Sequence, residues 1–268
     1  MESVQETLKK NEKQKEFYNV KKKSLPTKIW YFIREKSLKN IRKELGMLGQ
    51  SYDLHKEWMG NLSQKKVMDL GCYSGNTLSL HIAKNCKEYI GIDLSDKAIT
   101  KLNDKLKDIP TAKAISMDFF SEEFKEKEFD LIYAYGVLHH FKNVDVLIKR
   151  LDEKLASNGT IISYDPLQTS RPVWLLRMLY RPFQSDAAWE WPFTRKTVRK
   201  FKSAFQSIET RGVLGKSKWY FLVSFLPISK KKKLAWGKKA HQKDWERSAK
   251  TDAHLFKCMQ LNMYLQKR

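Results

Sequence analysis

From Lys66 to Tyr164, five short apolar runs alternate with stretches of helical periodicity, and this alternation constrains the fold more than any other feature of the chain. The runs are Lys66 to Leu70, Tyr89 to Asp93, Ala112 to Met117, Phe129 to Tyr135 and Gly159 to Tyr164, each bounded by glycine, aspartate or charged residues, and they read as strands. Asn76 to Asn85, Asp96 to Leu106 and Val144 to Ala156 read as helices, with Ser95 as an N-cap and Ser157, Asn158 and Gly159 as a stop. Strands separated by helices imply a parallel sheet wound by right-handed crossovers. Ligands of such sheets sit beyond the C-terminal ends of the strands, so the residues that follow each strand are the first to question.

The flanks are less regular. Residues 1–23 are polar and Lys-rich, which suggests a frayed helix or a tail. From Thr27 to Leu48 apolar residues recur at spacings of three, four and seven, the pattern of an amphipathic helix or two, and a shorter helix is expected around Asp53 to Leu62. Pro166 to Thr194 is too long for an ordinary connection and reads as an inserted helix and loop, about 167–194, over the site. Arg195 to Phe205 should be a helix, followed by strands near Ser207 to Val213 and Tyr220 to Phe225. The tail from Lys230 is basic and helical in pattern. Three parts result: a basic helical extension over 1–64, a ligand-binding domain over 65–228, and a basic helical extension over 229–268.

The segment Val67, Met68, Asp69, Leu70, Gly71, Cys72, Tyr73, Ser74, Gly75 is a strand ending in a carboxylate and a Gly-punctuated turn that opens a helix. Glycine there lets backbone approach a ligand, and a helix N-terminus offers unpaired N–H donors. The spacing lacks the third glycine of a dinucleotide fingerprint, and no Lys-Ser/Thr pair follows as in a phosphate loop. Asp93 ends the second strand, where a carboxylate can accept both hydroxyls of a ribose. Asp118 with Phe119 follows the third, a carboxylate for an amino proton beside a ring for a base. The plainer reading of any one of these residues is a turn former or a cap; three acidic strand ends in order are harder to obtain by chance.

With this set the sequence resembles the class I S-adenosylmethionine (SAM) methyltransferases, in particular their small-molecule branch with a type 11/12-like domain, strongly over about Lys65 to Asp165. The resemblance implies an α/β, Rossmann-like seven-stranded sheet, mostly parallel with the last strand antiparallel and helices on both faces, and SAM as cofactor. It places Asp69, Gly71, Cys72 and Gly75 at the methionine part of SAM, Asp93 and Leu94 at the ribose, Asp118 and Phe119 at the adenine, and Ala134 and Tyr135 beneath the sulfonium. Tyr73 departs from the family, which usually has glycine there.

Methyl transfer is an in-line displacement at an activated carbon, so the protein must position the nucleophile and remove its proton. His139 and His140, after the fourth strand, are the candidate bases; hydrogen bonding to a neighbouring loop is the alternative role. The insert contributes Arg171, Arg181, Trp189 and Trp191, which with Tyr52 form the expected acceptor pocket; His55 and Trp58 are further candidates, and packing of the aromatics onto the core is the competing role. No Asp-Pro-Pro-aromatic run or Pro-Cys dipeptide points to base methylation, and no acidic or His cluster points to a metal.

The net charge of +22 is uneven: Lys and Arg exceed Asp and Glu by 7 over residues 1–65, fall short by 1 over 66–194, and exceed by 16 over 195–268. Basic ends around a neutral centre suggest a phosphate-bearing partner, either an anionic membrane surface touched peripherally or, second, RNA; a lysine-rich, solvated surface without a partner is the plainer alternative. Three cysteines without paired spacing, a charged first twenty residues and no run near the roughly 20 apolar residues of a bilayer span make a cytoplasmic protein the expectation. The functional expectation is O-methylation of an apolar, lipid-linked or phosphorylated small molecule. An RNA methyltransferase guided by the basic ends and a non-catalytic SAM-binding regulatory or assembly protein are the alternatives.

Overall fold

The computed structural model describes residues 11–16, 19, 25, 28, 29, 32, 39–184 and 187–268. Most of the expected tail over 1–23 and much of the amphipathic stretch from Thr27 to Leu38 lie outside the described residues. Two helices, α1 (Asn40–Glu44) and α2 (Met47–Met59), lead into the alternating region. There follow β1 (Lys66–Leu70), α3 (Thr77–Asn85), β2 (Glu88–Asp93), α4 (Asp96–Leu106), β3 (Ala112–Ser116), β4 (Phe129–Tyr135), α5 (Val144–Lys154) and β5 (Leu155–Pro166). Then come α6 (Arg171–Tyr180), α7 (Arg195–Ala204), β6 (Gln206–Val213), α8 (Tyr220–Val223), α9 (Lys230–Lys250), α10 (Asp252–Leu255) and β7 (Gln260–Gln266).

The strands form one seven-stranded sheet in the order β3-β2-β1-β4-β5-β7-β6, and β7 alone runs against the others. Period-two alternation sorts side chains to its two faces. Val67, Tyr89 and Leu131 join the cluster under α3 and α4, whereas Met68, Ile90 and Ile132 join the one with Leu147 of α5 and Phe201 of α7. Helix starts are fixed locally. Asn76 Oδ1 accepts from Leu78 N at 2.8 Å and Ser79 N at 3.0 Å, while Ser79 Oγ accepts from Asn76 N at 3.1 Å, a reciprocal cap on α3. The expected cap Ser95 accepts from Ala98 N.

Two expectations are corrected. Tyr220 to Phe225 is no strand: Tyr220–Val223 is a helical turn, and of its side chains Tyr220 is buried while Phe221 and Leu222 face water. The seventh strand is Gln260–Gln266, within the tail read as wholly helical, so the sheet extends well past residue 228. Its place between β5 and β6 buries Leu261, Asn262, Met263 and Leu265 together, which removes the apolar and polar alternation that marks a half-exposed strand. The fifth strand also starts earlier than expected, at Leu155, where α5 stops.

The insert is anchored at its base. Phe193 N donates to Pro166 O at 2.8 Å and Gln168 N to Phe193 O at 3.0 Å, so the chain leaves and rejoins the fold at the end of β5. Helix α6 and the turn Ala187–Trp189 lie within this excursion.

Candidate active site

At the C-terminal ends of β1 to β4 lies a cavity of about 250 Å³. Its walls include Gly71, Asp93, Leu94, Asp118, Phe119, Tyr135 and His140, seven of the residues singled out from the sequence. Gly71 has φ +68°, and a Cβ built on it would lie 2.3 Å from Val137 Cγ2, so only glycine fits between β1 and the Val137 side chain that shares the cavity wall. Tyr73 takes φ +47°, a left-handed conformation that costs a side-chain-bearing residue roughly 1–2 kcal/mol. Its N–H donates to Asp93 Oδ2 at 3.0 Å, which helps offset that strain, and its ring is 43% exposed. Backbone geometry therefore replaces the absent glycine.

The strand-end carboxylates divide into two kinds. Asp93 accepts from Tyr73 N and, at Oδ1, from Ser95 N at 2.8 Å, which fixes its orientation toward the cavity. Asp118 accepts from Phe120 N at 2.8 Å and from Asn11 Nδ2 at 2.7 Å; burial raises its pKa. Asp69, by contrast, is buried in the sheet, accepts the Tyr89 hydroxyl at 2.8 Å and is pushed up to about 6 by burial. Asp165 is fully buried and is pushed up to about 7, again by burial.

Cys72 and Ala134 are buried and stand outside the cavity lining, as do Asp69 and Gly75. Cys72 Sγ would sit 3.0 Å from a Cβ at Gly91, so it packs the turn onto β2, and burial holds its thiol high.

His140 and His139 have different surroundings. His140 lines the cavity, and its Nδ1 lies 2.6 Å from Trp189 O. A carbonyl only accepts, so Nδ1 carries the proton and the basic lone pair of the neutral ring is on Nε2. His139 is buried behind it, the two ring centroids 4.2 Å apart, with Nδ1 2.9 Å from Asp165 Oδ1 and its backbone N donating to the same oxygen. Trp191 N donates to His139 O at 2.8 Å. The insert thus holds the histidine turn through backbone groups of Trp189 and Trp191.

Of the expected acceptor-pocket residues, none lines this cavity. Tyr52 packs edge-on against the cavity residue Tyr135 with centroids 5.5 Å apart, while Tyr164 stacks on Tyr135 at 4.8 Å. Arg171 and Arg181 are exposed. His55 and Trp58 dock α2 onto the sheet: His55 Nε2 bonds Asn262 Oδ1 at 2.9 Å and its pKa is lowered to about 4 by burial, and Trp58 Nε1 donates to Glu209 Oε2 at 3.0 Å.

Three residues were not anticipated. Asn11 and Gln14 wall the cavity from the N-terminal helical stretch, which is tied down by a Lys15–Asp96 ion pair at 2.9 Å and by Ser95 Oγ on Asn19 Oδ1 at 2.9 Å. Their spacing puts them on one helix face, but a polar face carries no apolar signal. Arg42 of α1 is the third; its Nε is buried with no hydrogen-bond partner among the described residues, and its charge partly offsets the burial that raises the pKa of Tyr135 and Tyr164. Among the described residues no group of three or more His, Cys, Asp or Glu could hold a metal ion.

These residues suit a nucleoside bearing a cationic chain. A carboxylate at each of two strand ends can accept hydroxyl and amino protons, Phe119 offers a ring face, and the Gly71 turn exposes backbone. Comparison with known proteins agrees. A family model described as a methyltransferase domain matches residues 47–207. An uncharacterised protein of Haemophilus influenzae is 33% identical over 110 residues, 38% of this chain and 42% of that protein. A carboxy-S-adenosyl-L-methionine synthase of Helicobacter pylori is 36% identical over 107 residues, 38% of this chain and 44% of that protein. The match thus spans less than half the length of these relatives. Among solved structures, the N-methyltransferase NodS of Bradyrhizobium japonicum bound to S-adenosyl-L-homocysteine superposes with a TM-score of 0.53 at 13% identity, over 85% of this chain and 97% of that one. The geranyl diphosphate C-methyltransferase of Streptomyces coelicolor does so with a TM-score of 0.55 at 10% identity, over 83% and 81%. With its sheet order, its acidic strand ends and a family match over more than half its length, the chain belongs to the class I SAM-dependent methyltransferases.

Proposed function

We propose that the protein transfers a methyl group from SAM to an oxygen nucleophile of a small acceptor that carries an anionic group. The observation that carries this reading is His140: it stands in the cavity wall with its tautomer set by the Trp189 carbonyl, which puts the basic lone pair of the neutral ring on Nε2, the atom that would take a proton from a hydroxyl. SAM, when bound, supplies an electrophilic methyl group. Asp93, Asp118 and the Gly71 turn would hold its nucleoside and chain, and Tyr135 would wall the reacting end. His139 and Asp165 act as positioning residues, fixing the turn that carries His140. Arg42, a partly buried cation whose charge acts on Tyr135 and Tyr164, supports an acceptor with a phosphate or carboxylate.

The H. pylori relative suggests a second reading, modification of SAM itself, which Arg42 also suits because a carboxylated product would need a cationic partner. Mass spectrometry of the nucleoside recovered with the purified protein separates the two.

Calorimetry with S-adenosylhomocysteine tests the cofactor site: wild type should bind and Asp93→Ala should bind at least ~100-fold more weakly, since a charged acceptor of two hydroxyl bonds is lost. Radiolabel from methyl-labelled SAM should then enter the organic-soluble fraction of a cell extract, with the His140→Gln rate down ~100-fold and S-adenosylhomocysteine affinity unchanged. Label in RNA alone would reject the small-molecule reading, and unchanged rates in His140→Gln would reject the base.

A further inference from the structure

Apolar side chains facing water are ordinary when scattered, but a contiguous set of them marks a contact surface. Residues 219–233 form such a set. Tyr220 is buried, and its hydroxyl donates to Glu44 Oε2 at 3.0 Å; beyond it the chain turns outward. Phe221, Leu222, Phe225, Leu226 and Ile228 are 41, 49, 78, 49 and 42% exposed. Helix α9 then opens with Lys230, Lys231, Lys232 and Lys233 and has no acidic residue in its first turn. Four cations at the positive end of a helix dipole are unfavourable for the helix itself. Lys233 Nζ donates to Ser224 O at 2.7 Å; the placement of the exposed Lys230, Lys231 and Lys232 finds its reason in something anionic outside the fold.

A second segment has the same make-up. Helix α6 turns Val173 inward, while Trp174, Leu175, Leu176, Met178 and Leu179 are 49, 50, 50, 53 and 69% exposed. Arg171, Arg177 and Arg181 are spaced through it.

We infer that these two segments bind the surface of an anionic lipid bilayer, with the apolar side chains entering the boundary between headgroups and acyl chains and the lysines and arginines meeting lipid phosphates. Charge complementarity selects this occupant: residues 195–268 hold 20 Lys and Arg against 4 Asp and Glu. A nucleic acid would reward the cations and leave Phe225 and Leu179 in water. An apolar protein groove would do the reverse. A bilayer interface satisfies both kinds of side chain at once. Among the described residues no helix is long and apolar enough to cross a membrane, so the contact is with the surface. The inference stands whether or not the methyl-transfer reading holds.

The test is co-sedimentation of the full chain with phosphatidylcholine vesicles and with vesicles that also contain phosphatidylglycerol. Wild type should bind the anionic vesicles at least ~10-fold more tightly than the neutral ones. Phe225→Ser combined with Leu226→Ser should weaken that binding roughly 100-fold. Lys230→Gln, Lys231→Gln and Lys232→Gln combined should weaken it ~100-fold on anionic vesicles. All five positions are exposed, and unchanged melting and S-adenosylhomocysteine affinity confirm that the variants fold. Absence of wild-type binding to anionic vesicles, or wild-type binding by the Phe225 and Leu226 variant, overturns the inference. So does tight binding to polyuridylate without vesicle binding, which assigns the cations to RNA. Self-association of the wild type that this same variant abolishes overturns it too, making a second copy the occupant.

Discussion

Phe129–Tyr135 and Tyr220–Ile228 are apolar runs of similar length with opposite fates. In β4 every residue from Leu131 to Ala134 is buried, because β1 and β5 flank the strand and the sheet is covered on both faces. The second run has one buried anchor, Tyr220, and then exposes its large side chains up to Ile228. Ser224 and Pro227 interrupt it, and the position beside β5 that an added strand would take is filled by β7. Apolar content measures what a segment gains by leaving water; it does not say whether the chain supplies the cover. In β4 the fold supplies it, and in residues 221–228 the proposed cover is a lipid surface.

The largest expected effect probes this contrast directly. Leu131→Ala should cost ~2–5 kcal/mol in denaturant unfolding, whereas Phe225→Ala should stay within ~0.5 kcal/mol. Similar losses at both positions would break the comparison, since Phe225 would then be packed in solution.

A smaller effect separates buried from cavity-facing carboxylates. Burial raises the folded-state pKa of Asp165 to about 7, above its ordinary value of 3.8. Both states hold the proton below about pH 4, and between about pH 4 and 7 the unfolded chain loses it first; stability therefore falls as pH rises through that window. Asp165→Asn has nothing to titrate there, so its melting temperature should gain on that of wild type between about pH 4.5 and 7.5. Parallel curves would mean that Asp165 is ionised throughout, held by His139.

The smallest effect concerns Tyr73. Replacement by glycine relieves the left-handed strain but adds chain entropy to the unfolded state, so Tyr73→Gly should change stability by less than ~1 kcal/mol and retain S-adenosylhomocysteine binding. A large loss of affinity would mean that the Tyr73 ring contributes to the site.

Much of the cofactor end was legible because its signals are local. The strand at Lys66–Leu70, the glycine turn after it and the acidic ends of β2 and β3 are each written within a few residues; Gly71, Asp93, Leu94, Asp118 and Phe119 of the cavity followed from them, and Tyr135 and His140 from the end of β4. The acceptor side was less so. Trp189 and Trp191 reach the histidine turn through main-chain groups, which no side-chain pattern announces.

By itself the sequence determined the alternation that makes a parallel sheet, the glycine that only a close backbone approach requires, and the chemical types standing at the strand ends, since all of these follow from near neighbours and side-chain period. Tertiary structure alone decided which carboxylates face the cavity and which are buried, that Asn11 and Gln14 wall it, that the charge of Arg42 acts on Tyr135, and that Gln260–Gln266 enters the sheet. The physical reason is that burial and pairing depend on segments more than a hundred residues apart: Asn11 meets Asp118 and His55 meets Asn262 only after the chain has folded.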